Sequence, residues 1–120
     1  MEIPKIFESE YRFCLILWEH EPVNSTKLVE LCREKLGWSK ATTYTVIRRL
    51  AERGVLVNEN TIVRTLITKE EAQASRVEEM VEETFQGDLP AFIAAFARGR
   101  KLSRQEAEQL KAMIDTFGED

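Results

Sequence analysis

Histidine and cysteine are scarce in this chain, and their scarcity excludes several kinds of chemistry. Cys14 and Cys32 are too few and too far apart for a zinc site or a disulfide framework. His20, the single histidine, is not at ligand spacing from either cysteine, so no metal and no cofactor is expected. Both cysteines fall on apolar stripes, where a free thiol behaves as a small hydrophobe, and packing is their expected role. A redox-sensing pair is the alternative. Long apolar runs are missing as well: Cys14 to Trp18 and Phe92 to Ala97 are far too short to span a bilayer. The start, Met-Glu-Ile-Pro-Lys, lacks the basic and apolar regions of a signal peptide. A cytoplasmic protein without direct membrane binding is expected. Catalytic residues are not expected either. The lone histidine follows Glu19 at a helix end, and the pairs Glu78-Glu79 and Glu82-Glu83 read as solvated faces.

What is present describes a folded protein with two jobs. A hydrophobic fraction of 43% and a charged fraction of 32% over 120 residues suit one compact domain with an appended element. The net charge of −4 hides an asymmetry. Residues 1 to 69 hold 11 basic and 9 acidic residues, a net +2, whereas residues 70 to 120 hold 6 and 12, a net −6. Between residues 33 and 53, six basic residues (Arg33, Lys35, Lys40, Arg48, Arg49, Arg53) face two acidic ones, Glu34 and Glu52. Segregation of this kind points to different partners for the two halves.

Periodicity and punctuation then give the element order. Phe7, Tyr11, Cys14, Leu15 and Trp18 form a helical stripe over roughly residues 8 to 19, closed by Pro22. Asn24-Ser25-Thr26 offers N-caps to a second helix, with Leu28, Leu31, Cys32 and Leu36 on one face and a stop at Gly37. A third helix runs from the cap Ser39 to Gly54, where a left-handed residue belongs. Val55-Leu56-Val57 and Ile62 to Ile67 flank the polar turn Asn58-Glu59-Asn60-Thr61 as a β-hairpin. Thr68 and Glu71 make a capping box for a helix to about Gln86. Leu89, Phe92, Ile93 and Phe96 mark a short helix ending at Gly99. A second box, Ser103 and Glu106, opens the last helix, with Leu110, Met113, Ile114 and Phe117 on its stripe.

The expected fold is therefore mainly α with a small β-hairpin: a winged helix-turn-helix over residues 1-68 and a helical dimerisation extension over 69-120. The extension has more apolar face than it can bury alone, so Val77, Met80, Val81, Phe85, Phe92, Phe96, Leu110, Met113, Ile114 and Phe117 are expected to pair with a second copy.

The helix at 39-53 carries few apolar residues and three arginines. At 100° per residue, Val46, Ile47 and Leu50 gather with Thr43 on one side. Ala41, Tyr44, Thr45 and Arg48 fall opposite, bordered by Thr42, Arg49 and Glu52. An outward face that is small near the N-terminus and basic farther on suits the major groove, where short side chains let a helix approach base edges. Ser39, Lys40 and Thr42 at the helix start suit a phosphate, and Arg64 on the wing reaches backbone or minor groove. Double-stranded DNA is the expected partner. The alternatives are a winged module that binds protein, which a salt titration distinguishes, and a repressor sensing a small molecule or redox signal.

The stretches "LWEHEPVNSTKLVE" (residues 17 to 30), "WSKATTYTVIRRLAERGVL" (38 to 56) and "FQGDLPAFIAAFARGRKLSRQEAEQLKAMI" (85 to 114) resemble the penicillinase-repressor family of bacterial transcription regulators, the BlaI/MecI/CopY type. Trp38, Ser39, Thr42, Thr45, Arg49, Leu50, Arg53 and Gly54 match its pattern. The resemblance implies a homodimeric repressor of an inverted-repeat operator, held together by its C-terminal helices. It also implies a membrane sensor protease as partner, which answers an antibiotic signal and triggers cleavage of the repressor, in that subgroup at an Asn-Phe bond. The corresponding pair here is Ala95-Phe96, so the asparagine is absent. No cysteine follows Cys32, and copper sensing, which in this family uses a cysteine-rich tail, is not expected.

Overall fold

The computed structural model describes residues 2–118. Helix α1 (Glu8–His20) is followed by strand β1 (Val23–Asn24), helices α2 (Ser25–Leu36) and α3 (Lys40–Glu52), and strands β2 (Leu56–Glu59) and β3 (Ile62–Thr65). Helices α4 (Lys69–Phe85), α5 (Leu89–Gly99) and α6 (Arg104–Phe117) complete the chain. The first six elements make the expected winged helix, with one addition. The hairpin gains a third strand, giving the antiparallel order β1-β3-β2, with Val23 opposite Val63 and Asn24 opposite Ile62. Two residues after a proline are too few to show alternation, and Asn24 also serves as N-cap of α2, its side chain accepting from the Thr26 N–H at 2.8 Å.

The core lies where α1, α2, α3 and the sheet meet. Phe13, Leu17, Leu28, Leu50, Val55, Leu56 and Val63 are its largest fully buried apolar side chains. Full burial of such a side chain is worth about 1.5–3 kcal/mol. Phe13 stacks on Trp38 with centroids 6.0 Å apart, fixing the turn between α2 and α3. The inward face of α3 is as the helical wheel has it: Thr43, Val46, Ile47 and Leu50 are buried. The inward face of α1 is not. Glu10, Phe13, Cys14, Ile16 and Leu17 are buried, whereas Phe7 and Leu15 of the expected stripe are exposed. The helix is turned by about one residue, roughly 100°, from the sequence reading.

Gly37 sits in the turn between α2 and α3 with φ +70°, donating its N–H to the Arg33 and Cys32 carbonyls. No side chain or backbone would meet a Cβ there. Gly37→Ala therefore isolates the left-handed backbone term, and a loss of about 1–2 kcal/mol is expected, read as a lower urea midpoint with unchanged slope. Gly37→Asn, which tolerates that conformation better, is expected to lose less. The wing turn is tighter than the four polar residues suggest: β2 and β3 run to Glu59 and from Ile62, leaving Asn60 (φ +51°) and Thr61 (φ +65°) as the loop. A β-branched residue is strained at positive φ. Thr61 is held there by two contacts: its carbonyl accepts from the Ser25 N–H at 2.7 Å, and its hydroxyl accepts from the Asn24 amide at 3.2 Å.

The chain forms two compact units, Met1–Val77 and Glu78–Asp120, which divide within α4. The first turns of that helix belong to the N-terminal unit because Ala72 is buried in its core, Gln73 donates to the Tyr11 hydroxyl and Arg76 lies 4.3 Å over the Tyr11 ring. In the second unit, Phe85 and Phe92 meet edge to face at 5.7 Å, and neither α5 nor α6 buries a residue.

Candidate nucleic-acid interface

Ser39 caps α3 by accepting from the Thr42 N–H at 3.1 Å, and its hydroxyl donates to Thr42 Oγ1 at 3.0 Å. These two predicted residues are thus brought together, exposed, at the positive end of the helix dipole. Lys40, Ala41, Arg48 and Arg49 are exposed on the same helix, and Thr45 is half-buried. Among the described residues, Lys40, Arg48 and Arg49 enter no ion pair, as is also true of Arg33, Lys69, Arg76, Arg98, Lys101 and Lys111, whereas Arg12, Lys27, Lys35, Arg53, Arg64, Arg100 and Arg104 do. Cations that enter no ion pair along one small-residue face are available to an external anion.

One expected contact, Tyr44, and one residue of the basic segment, Arg53, lie otherwise than the helical wheel has them. Tyr44 is not free on the outer face: its ring packs against the core and its hydroxyl donates to Ser25 Oγ at 3.3 Å, so α2 is its support. Arg53, counted with the basic face, points inward. Its guanidinium donates to the Lys5 carbonyl at 2.7 Å, pairs with the buried Glu10 carboxylate and lies 5.3 Å over the Phe7 ring. Burial alone would raise the Glu10 carboxyl, but the Arg53 guanidinium and the Phe7 N–H together hold it below its ordinary value. No periodicity signal marks such a pair, since a charged residue on a buried stripe reads as a break. Arg64 stands exposed on β3, 4.0 Å from Glu59 across the wing, a pair of little energetic weight. Lys69 opens α4.

The apolar residues expected at a dimer face divide into two sets. Val77, Met80, Phe96, Leu110, Met113, Ile114 and Phe117 are exposed, Phe117 by 80%. Val81 is buried, and Phe85 and Phe92 are half-buried against each other, so these three pack within the chain. Leu89 and Ile93 join the exposed set.

Other chemistry finds little purchase. Burial pushes the Cys14 thiol up to about 12 and the Cys32 thiol to about 11, and both are free. At neutral pH neither is a thiolate, the form that reacts with oxidants, which disfavours the redox alternative. An open cavity of about 430 Å³ is lined by Trp18, Glu21, Leu66, Thr68 and Lys69 among others. Its inner polar groups are already engaged: the Trp18 indole donates to the Ile67 carbonyl at 3.1 Å and Glu21 accepts from the Thr65 N–H and hydroxyl. Among the described residues, no cluster of three metal-ligating side chains occurs, and no helix is long and apolar enough to cross a membrane.

Known proteins resemble this chain in sequence and in fold. The family described as Penicillinase repressor matches residues 6–116. The penicillinase repressor of Bacillus licheniformis is 23% identical over 119 residues, covering 95% of this chain and 92% of that one. The methicillin resistance regulatory protein MecI of Staphylococcus aureus is 21% identical over 115 residues, covering 92% and 94%. Among solved structures, the monomeric form of Bacillus licheniformis BlaI in complex with the blaP half-operator superposes with a TM-score of 0.51 at 23% identity, covering 58% of this chain and 90% of that one. That likeness supports the winged-helix fold.

Proposed function

The chain belongs to the penicillinase repressor family, and from that premise we propose that it is a dimeric DNA-binding transcriptional repressor reading an inverted-repeat operator through helix 39-53. The observation that carries the reading is the outer face of α3, where Lys40, Arg48 and Arg49 flank small side chains and enter no ion pair among the described residues. Ala41, Thr42 and Thr45 are short enough to let the helix backbone approach base edges, and Thr methyls suit thymine methyls. Ser39 and the first N–H groups of α3 suit a phosphate, and Arg64 adds a wing contact. The relatives named above are themselves repressors or resistance regulators, and the solved one was captured on a half-operator. The role is one of binding, not catalysis.

The exposed apolar set of α4, α5 and α6 is the support for a second copy. Release by proteolysis after an antibiotic signal, with a membrane sensor protease as partner, completes the proposal. The candidate bond, Ala95-Phe96, lies inside α5, so a protease must first unwind that helix. Because α5 buries no residue within the chain, the packing that opening it would break is that against the second copy.

The test is fluorescence anisotropy of the full chain against its own upstream DNA and a scrambled duplex at several salt concentrations. Tight, salt-sensitive preference for the upstream DNA with two chains per site is expected; no binding to either duplex even at low salt would overturn the DNA reading. Two variants assign the face. Arg49→Ala is expected to weaken binding to both duplexes about equally and to lower the salt slope by about 0.9, the signature of one lost phosphate contact. Thr45→Ala is expected to cost about 1 kcal/mol, chiefly on the specific operator. Parallel losses on both duplexes for both variants would show that the outer face is wrongly assigned.

A further inference from the structure

We propose that Arg53 is a positioning residue for DNA reading, clamping the C-terminal end of α3 to an N-terminal strap of residues 5–10 instead of touching DNA; the inference rests on the repressor reading above. The strap lies on the core through half-buried Ile6, and Ile3 just before it is half-buried too. Where it meets α1, each oxygen of Glu10 has its own donor. Oε1 accepts from the Phe7 N–H at 2.9 Å and Oε2 pairs with Arg53. The other guanidinium nitrogen reaches the Lys5 carbonyl at 2.7 Å, and the plane covers Phe7. One side chain thus ties three points of the strap to the C-cap of the recognition helix. Glu10 is 6% exposed and Arg53 is itself half-buried, so both charged partners of the clamp are engaged within the chain.

The clamp acts through lever geometry. A helix of 13 residues is about 20 Å long, so a tilt of about 3° at its C-terminal end moves its first turn by about 1 Å. Base-edge hydrogen bonds tolerate a few tenths of an ångström. The N-terminal end of α3 is already held by the Ser39 cap and by Thr43, whose hydroxyl donates to the Ser39 carbonyl at 3.1 Å. Arg53 supplies the second fixed point. Arginine is required because lysine, a single point donor, cannot bridge a carboxylate and a carbonyl in one plane while covering a ring.

The experiment compares the full chain with its Arg53→Lys, Arg53→Ala and Glu10→Gln variants. Melting temperature is recorded first, then anisotropy on operator and scrambled duplexes across salt, at a temperature where every variant retained is fully folded. The expected result for Arg53→Ala is about a tenfold loss on the operator, comparable to one good base contact, with scrambled-duplex binding and the salt slope unchanged. Arg53→Lys is expected to fall between Arg53→Ala and the parent chain, and Glu10→Gln to lose operator binding with no cation removed. Equal weakening on both duplexes with a slope lowered by about 0.9 would make Arg53 a phosphate contact and overturn the proposal. A lower melting temperature with operator preference intact would overturn it too, leaving Arg53 a plain stabiliser. If Arg53→Ala does not fold, Arg53→Lys and Glu10→Gln carry the same outcomes. Failure of the parent chain to bind either duplex would instead refute the repressor reading on which the clamp depends.

Discussion

Replacing Met113 and Ile114 together by glutamate is expected to turn a dimer into a monomer and to weaken operator binding by about 100-fold or more. Nine large apolar side chains between Val77 and Phe117 are each at least 38% exposed, against three in the N-terminal portion before them. Met113 and Ile114, at 54% and 59%, stand side by side on α6, where no residue is buried. Exposed apolar faces of this extent mark contact surfaces. Joining two winged units makes the second half-site encounter intramolecular, which raises overall affinity by about 10²–10⁴ without new contacts. Separating the copies forfeits that gain while leaving each unit's own grip intact. Light scattering should therefore report half the mass, and a duplex carrying one half-site should bind parent and variant alike. A variant that stays dimeric would show that the copies meet elsewhere. A parent chain that is already monomeric would remove the reason for two sites.

How far the sequence disclosed this molecule depends on what kind of signal each feature leaves. The bounds and buried face of α3 were legible because its cap Ser39, its buried set and its closing Gly54 are all local. α1 was misread by one residue because Phe13 to Trp18 is apolar throughout, so two neighbouring stripes fit equally well, and the true one contains Glu10. Only the arginine 43 residues away makes a buried glutamate sensible there. Strand β1 left no pattern because two residues cannot alternate, and its pairing with β3 is a tertiary fact. Tyr44 and Val81 were placed outward by periodicity alone. The Ser25 hydroxyl draws the first inward, and the second is buried once the helices pack. In each case the missing information was a long-range contact, which no short window of sequence holds.

Ala41→Glu is expected to separate folding from DNA binding more sharply than any deletion. Ala41 is the second residue of α3, exposed and two places beyond the cap Ser39. A carboxylate in the first turn of a helix interacts favourably with the exposed N–H groups by about 0.3–1 kcal/mol, which offsets the small loss of helix propensity relative to alanine. Thermal stability should therefore stay level or rise slightly. The same carboxylate, presented where the helix enters the groove, faces phosphates on both sides and base edges ahead. Like charges brought together at an interface cost several kcal/mol, so binding to operator and scrambled DNA alike should fall by about 100-fold or more. A matching change of net charge elsewhere, Ala74→Glu on the exposed side of α4, controls for long-range repulsion and is expected to weaken binding less than threefold at physiological salt, where screening acts within about 8 Å. If Ala41→Glu binds DNA as well as the parent chain, the N-terminal end of α3 does not enter the groove. If both variants weaken binding equally, charge at a distance governs the affinity, and the face assigned to α3 has no special part in it.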